Sequence, residues 1–231
     1  MAMNTFRGIS LKQVAGGDLP MLYSMFSDPE RFHLWGHRHV MDESQFLETW
    51  RMWSKQRMEA RFTVVKSGRP VGLVFDYDRS MEDGHTKVAT LLSEHAAGRG
   101  AGVIATTLFS DWLFQTLPLR KLYFDVFGFN VSVVRMLQKL HVREEMCRSD
   151  HRYWNGRYWD CHGFSLFREE LPQLQQRLFR NRSLQPSSPV PATMQDCQIR
   201  LSPKSGDKAP AGSPRDKVQD MAFDEALIAA L

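Results

Sequence analysis

The chain has only three cysteines, Cys147, Cys161 and Cys197, far apart and in none of the paired spacings of a metal site. So sparse and odd a set offers no disulfide framework and points to a reducing compartment. No stretch approaches the roughly 18 apolar residues of a membrane span, and the opening MAMNTFRGISLKQV lacks the apolar centre of a secretory signal. The expectation is a cytoplasmic protein with no membrane partner. A run of basic residues is missing too. The formal net charge is +4 over 231 residues, too small and scattered to call for nucleic acid as a partner. It suits an enzyme that handles an anionic cofactor equally well. What is present is ordinary globular composition, 42% hydrophobic and 24% charged, enough for one substantial core.

Composition shifts near Arg180. From Ser183 to Lys217 the chain reads SLQPSSPVPATMQDCQIRLSPKSGDKAPAGSPRDK, too poor in large apolar groups to offset the entropy of ordering it. Residues 1–180 are therefore read as one globular domain and 181–231 as a flexible tail. The tail ends in DMAFDEALIAAL, where Met221, Phe223, Leu227, Ile228 and Leu231 form one apolar side of a short helix. The bland reading is a frayed terminus or an edge packed back on the domain. The sharper one is a tethered recognition helix for a protein partner.

Strands and helices alternate through residues 1–180. Ile9–Val14 is a strand candidate. Asp18 is expected to cap a helix with Pro20 in its first turn, and Asp42 with Gln45 forms a capping box for a second. The intervening RFHLWGHRHV holds His33, His37 and His39 with Trp35, but no carboxylate or thiolate joins them at ligand spacing, so no metal is expected. Residues 61–66 and 70–77 flank a Ser-Gly-Arg turn, and 143–154 and 157–167 flank Asn155-Gly156, a strong two-residue hairpin signal. A strand at 86–92, a helix at 103–117 stopped by Pro118, a strand at 119–127 and a helix at 130–140 lie between the hairpins. A terminal helix is placed at 171–179. The order β-α-α-β-β-β-α-β-α-β-β implies an α+β fold, a central mixed sheet flanked by helices.

The segment VATLLSEHAAGRGAGVIATTLF carries the chemistry. A strand ends, Gly98, Gly100 and Gly102 follow, and an apolar helix starts at once. Unpartnered amides and the positive end of the helix field make such a turn an anion pocket, suited to phosphate or pyrophosphate. No Gly-Lys-Ser/Thr closes it as in a Walker loop, and the glycine spacing differs from a dinucleotide fingerprint. An ordinary flexible turn is the competing reading.

From about Phe6 to Glu170 the chain resembles the GNAT acetyltransferase superfamily. The resemblance is greatest to the branch of ribosomal-protein alanine N-acetyltransferases and related small-molecule acetyltransferases. The family's Gln/Arg-x-x-Gly-x-Gly/Ala signature falls on Ala97, Gly100 and Gly102, with Arg99 offering a cation inside the loop. A second marker, an Asn opening a helix that ends in Lys-Leu-Gly-Phe, appears as Asn130 with Lys139-Leu140, then His141-Val142. A third is WNGRYWD, ending at Asp160. The resemblance implies an N-acyltransferase moving an acetyl or other acyl group from acetyl-CoA or another acyl-CoA to a primary amine of a small molecule or biosynthetic intermediate. It implies that the amides of Gly98, Arg99, Gly100, Ala101, Gly102 and Val103 hold the pyrophosphate. It also implies that Leu91, Leu92 and Ser93 pair with the pantetheine arm and that Asn130 lines the site.

Many relatives place a Tyr seven residues after the Asn as acid. Here that position is Leu137, and the Ser found three residues after it in others is Val133. Ser132 points about 100° away on a helix. For the base, Asp76 and His85 are the first choice, on adjoining strands and, by simple alternation, on one face with Asp78. A solvated turn residue is the plain alternative for each. The acceptor is expected over His33, Trp35, His37, Trp154 and Trp159. Competing functions are a non-catalytic CoA-binding or partner-docking module, and an acyltransferase fed by a carrier protein.

Overall fold

A computed structural model of the chain describes residues 5–30, 32–35, 40–55, 59–97 and 100–180. The terminal segment, residues 181–231, lies outside them. The elements are β1 (Ile9–Gln13), α1 (Leu19–Phe26), α2 (Glu43–Lys55), β2 (Arg61–Lys66), β3 (Arg69–Ser80) and β4 (His85–Leu92). They continue with α3 (Ala101–Thr116), β5 (Lys121–Phe127), α4 (Val131–Lys139), β6 (Arg143–Trp154), β7 (Arg157–Phe167) and α5 (Leu171–Arg180). This is the order read from the sequence, with boundaries moved by up to three residues.

The seven strands form one sheet in the order β1-β2-β3-β4-β5-β7-β6. Every neighbouring pair is antiparallel except β4 and β5. Both hairpin turns have positive φ at their two central residues, Ser67 and Gly68 in one and Asn155 and Gly156 in the other. That is the geometry whose twist matches the flanking strands.

One sheet face is closed by α3, α4 and α5. The helix α3 buries residues on several sides, Phe109 and Leu113 among them, and its cluster joins Ile9, Val64, Val74 and Val88 to Leu122, Phe124, Val126 and Phe164. The other face is closed by α1 and α2 through Leu22, Phe26 and Phe46 against Leu73, Phe75, Ala89 and Leu91. No residue of β5, β6 or β7 joins that second cluster. Half of the sheet's second face is thus left to other groups.

The capping box at Asp42 and Gln45 is formed, each residue's side chain accepting the other's amide. Asp18 behaves differently from its expected role. Its side chain caps nothing in α1 and instead accepts hydrogen bonds from Lys12, Thr63 and the Ala15 amide. It therefore ties the start of α1 to β1 and β2. Burial would raise this carboxyl, but the hydrogen bonds from Lys12, Ala15 and Thr63 outweigh it and hold the pKa below the ordinary 3.8.

Two outcomes are expected. A depressed carboxyl contributes stability that is present above its unfolded pKa and lost as the pH falls through the lower folded value. Thermal melts of wild type and Asp18→Asn should therefore differ at pH 7 and converge as the pH drops below 3.8; a gap that persists in acid would contradict this. The second outcome concerns Gly72, where an added Cβ would lie 2.1 Å from the Leu91 carbonyl oxygen and 2.8 Å from Leu92 Cδ2. Gly72→Ala should cost about 1–3 kcal/mol of stability in denaturant unfolding, whereas Gly16→Ala, with nothing within 4 Å, should stay within about 0.5 kcal/mol.

Candidate active site

The parallel pair β4–β5 is laddered only over His85–Lys121, Thr86–Leu122 and Lys87–Tyr123. Beyond that the strands part. The backbone of β4 alternates in direction. Ser93 gives its N–H to the Val71 carbonyl, and the Leu91 carbonyl turns toward β3 at Gly72. By the same alternation Thr90 and Leu92 turn their backbone groups into the opening beside β5. Of the three residues expected along a pantetheine arm, Leu92 therefore faces the opening, while Leu91 and Ser93 face β3.

At the far end of the opening β4 leads into α3 and β5 leads into α4, so two helix N-termini flank it. Gly100 sits before α3 in the left-handed region, φ 77°, which a residue without Cβ adopts at no steric cost. The first bond of that helix runs from Ile104 N–H to the Gly100 carbonyl. The amides of Ala101, Gly102 and Val103 precede it and have no partner among the described residues. Gly98 and Arg99 lie outside the described residues. Asn130 precedes α4, and its side chain caps nothing there; among the described residues it takes only the Ser132 hydroxyl at 3.4 Å. The donors and the field at this edge fit a phosphate-bearing ligand lying along the opening.

The half of the second face that no described helix covers carries charge. Asp125, 6% exposed, projects from β5 just past the last pair and binds Arg148 at 2.9 Å and Lys87 at 3.8 Å. Lys87 also meets Asp78 at 3.0 Å. Arg148 reaches the buried Cys161 as well. Tyr77 borders the group, its phenol pushed well up by burial and then by the Asp125 carboxylate. Burial likewise raises the Cys161 thiol, Asp125 adding to it and Arg148 opposing.

An aromatic wall closes one side. The His33 ring stacks on Trp154 at 4.0 Å, and Phe129 contacts both His33 and Trp159. Trp159 donates its indole N–H to the Trp154 carbonyl. The structure thus brings together three residues expected to face the acceptor, His33, Trp154 and Trp159. His37 lies outside the described residues, as does the Trp35 side chain. On the opposite face of β6 and β7, Glu144, Cys147 and His162 bring potential metal-ligand atoms within 4.8 Å of one another.

Asp76 and His85 are not brought together. Asp76 lies on the α3 face, fully buried, where it takes two bonds from Arg79, the Ala60 amide and the Thr86 hydroxyl. His85, next to Thr86 on the strand, points to the other face and meets the Tyr123 ring edge-on. The register sets this apart, since Asp76 pairs with Val88, an odd three residues from His85 on β4, and beyond it lies a bulge between Tyr77 and Ser80, with Asp78 at φ 52°. It sends Asp78 to Lys87 on the open face and leaves Asp76 behind. The residue that sequence reasoning missed is Asp125. Its signal was present, one carboxylate within the apolar strand KLYFDVF. Asp76→Asn should therefore act through the fold. Leaving Arg79 without its charged partner costs of order 3–5 kcal/mol, a fall of about 10 °C in melting temperature, with acyl-donor affinity in the folded fraction unchanged. Lost turnover at an unchanged melting temperature would restore it as a base.

Residues 9–143 match the family model of the acetyltransferase (GNAT) domain. A spermidine N-acetyltransferase from Vibrio cholerae, solved with CoA and spermine, superposes with a TM-score of 0.66 at 19% identity, covering 71% of this chain and 98% of that one. The spermidine/spermine N-acetyltransferase SpeG of the same organism, in complex with manganese ions, gives 0.59 at 20% identity over 72% and 96%. At such identities the likeness is one of fold, and the mixed sheet flanked by helices is shared. A search of curated proteins returns no significant match. The family match covers more than half of the sequence but singles out no branch. The chain belongs to the GNAT acetyltransferase family, an N-acetyltransferase whose acyl donor is acyl-coenzyme A.

Proposed function

We propose that this protein transfers an acetyl or other acyl group from acyl-CoA directly to a primary amine of a small molecule. The observation that carries the reading is the opening between β4 and β5, which ends at the bare amides of α3 and the uncapped Asn130. The pyrophosphate would rest on the amides of Ala101, Gly102 and Val103, and the pantetheine arm along Thr90 and Leu92. Bound there, the donor supplies an activated thioester carbonyl. The acceptor would approach from the half-open face, between the aromatic wall and Asp125.

Direct attack is favoured over an acyl-enzyme because Cys161, the thiol beside Asp125, is buried with its pKa raised. It stays protonated and is a poor nucleophile at neutral pH. Asp125 is placed to accept a hydrogen bond from the incoming amine, and His85 shares its face at the near end of the opening. Catalysis on this reading comes mainly from positioning and aimed dipoles. The ligand of the solved neighbour, spermine, is a small-molecule amine, which supports a small acceptor over a protein terminus.

Gly102→Asp tests the donor site cleanly. An added Cβ there meets only Leu92 Cδ1 at an ordinary 3.6 Å, so the fold should stand while a carboxylate opposes the phosphates. Calorimetric titration with acetyl-CoA should show binding to wild type and a loss of at least about tenfold in the variant. Equal affinity in both would remove the pyrophosphate from this helix start.

A further inference from the structure

The half-open face has a charge balance that bears on the acceptor. Register places Arg148 opposite Cys161, Arg152 opposite Trp159 and Arg157 opposite Trp154, so the three arginines share one face of the β6–β7 ribbon. Lys87 joins them from β4. The two carboxylates beside Arg148 and Lys87, Asp125 and Asp78, are both already engaged by them. Lys121 and Glu145, further along the strands, neutralise each other at 2.5 Å. Of these three described carboxylates, none is left uncommitted for the second ammonium of a polycationic acceptor.

The donor groups point the same way. Arg148 spends only one terminal nitrogen, Nη2, on Asp125 and Cys161. Its Nη1 has no partner among the described residues, and the side chain is 36% exposed. Arg157 Cζ sits over the Trp159 ring, 3.5 Å from its centre, a contact that holds a guanidinium on an aromatic face. An arginine edge matches the two oxygens of a carboxylate or phosphate.

We infer that the acceptor is a small amine that also carries an anionic group, a carboxylate or a phosphate. Its amine lies against Asp125, its anion against Arg148, and Arg157 guides it at the rim. The Asp125–Arg148 pair is then the complement of the acceptor's own ammonium and anion. This inference rests on the acyl-transfer reading above and narrows its acceptor class.

The test is thiol release from acetyl-CoA with matched amines. The set is an α-amino acid, the corresponding amino-acid amide, an aminoalkyl phosphate, the corresponding neutral amino alcohol, and the polyamine spermine. At least one anionic member should have a kcat/KM about tenfold or more above its neutral counterpart and above spermine, as expected for one charge-assisted contact. Which anionic member leads separates carboxylate from phosphate. Arg148→Gln should raise KM for that acceptor about tenfold and flatten the preference. Arg157→Gln, at an exposed residue with no ion pair among the described residues, should raise the same KM by a few-fold with an unchanged melting temperature, and the effect should shrink in high salt. Faster turnover of spermine or of the neutral amines would overturn the inference and leave acyl transfer standing. Acetyl-CoA binding without thiol release for any amine would overturn both.

Discussion

The parting of β4 from β5 is the constraint on which the rest depends. A parallel ladder that stops after three pairs forgoes backbone hydrogen bonds that a continuous sheet would make. It persists because each wall is held from its other side. β4 is paired with β3 from Gly72–Leu92 to Ser80–His85, and β5 with β7 from Lys121–Phe167 to Phe127–Cys161. The sheet is two antiparallel halves joined by a short seam. Behind them α3 packs on residues of both halves through one core. The opening is thus a fixed feature between two stiff bodies, the condition for a site that must present aimed dipoles without reorganising.

A second cost sits on the half-open face. Lys87, Asp125 and Arg148 are withdrawn from water to differing degrees, and a buried ion pair is often less stabilising than apolar residues of the same volume. The same face under α1 and α2 shows the apolar solution, with Phe26, Phe46, Phe75 and Leu91 closely packed. A fold able to cover one half of a face with a helix pair has left the other half charged. The Arg148 Nε, buried without a hydrogen-bond partner among the described residues, has the same character. Such departures from the most stable arrangement belong where a ligand is to be bound.

Most of the fold was legible because its signals are local. Asn155-Gly156, the Asp42–Gln45 box and the run from Val103 to Pro118 each reflect a backbone preference that needs no tertiary context. The glycine turn and Asn130 were legible for the same reason, since a strand followed at once by a helix start is a sequence-local event. Side-chain facing was not. Alternation puts Asp76 and Asp78 together, but the bulge at 77–80 reverses the order, and nothing in RSMEDG announces a bulge. The Asp42 cap held while the Asp18 cap did not, because Thr63 and Lys12 compete for Asp18 from strands remote in sequence. Asp125 reads as an oddity in an apolar strand until β6 brings Arg148 to it. The splay itself is a property of two strands and has no signature in either.

Leu137, where many relatives carry a tyrosine, bears on how charge is handled in the proposed transfer. It is buried in the core of the α3 side, and Ser132 is exposed and bound to Asn130, so α4 offers the opening its N-terminal field but no side-chain acid. The Tyr77 phenol, with its raised pKa, would release its proton reluctantly. The negative charge that develops as the thioester breaks must then be met electrostatically. The parts for this are present beside Asp125, in Lys87 and Arg148 on the open side of the opening. In a site walled by aromatic rings such charges act through a lower dielectric than water and are worth correspondingly more. A thiolate stabilised in this way can depart first and take its proton from solvent afterwards. Replacing an acid by a field in this manner removes the need for one residue at position 137 and transfers it to the arginines that, on the same geometry, select the acceptor.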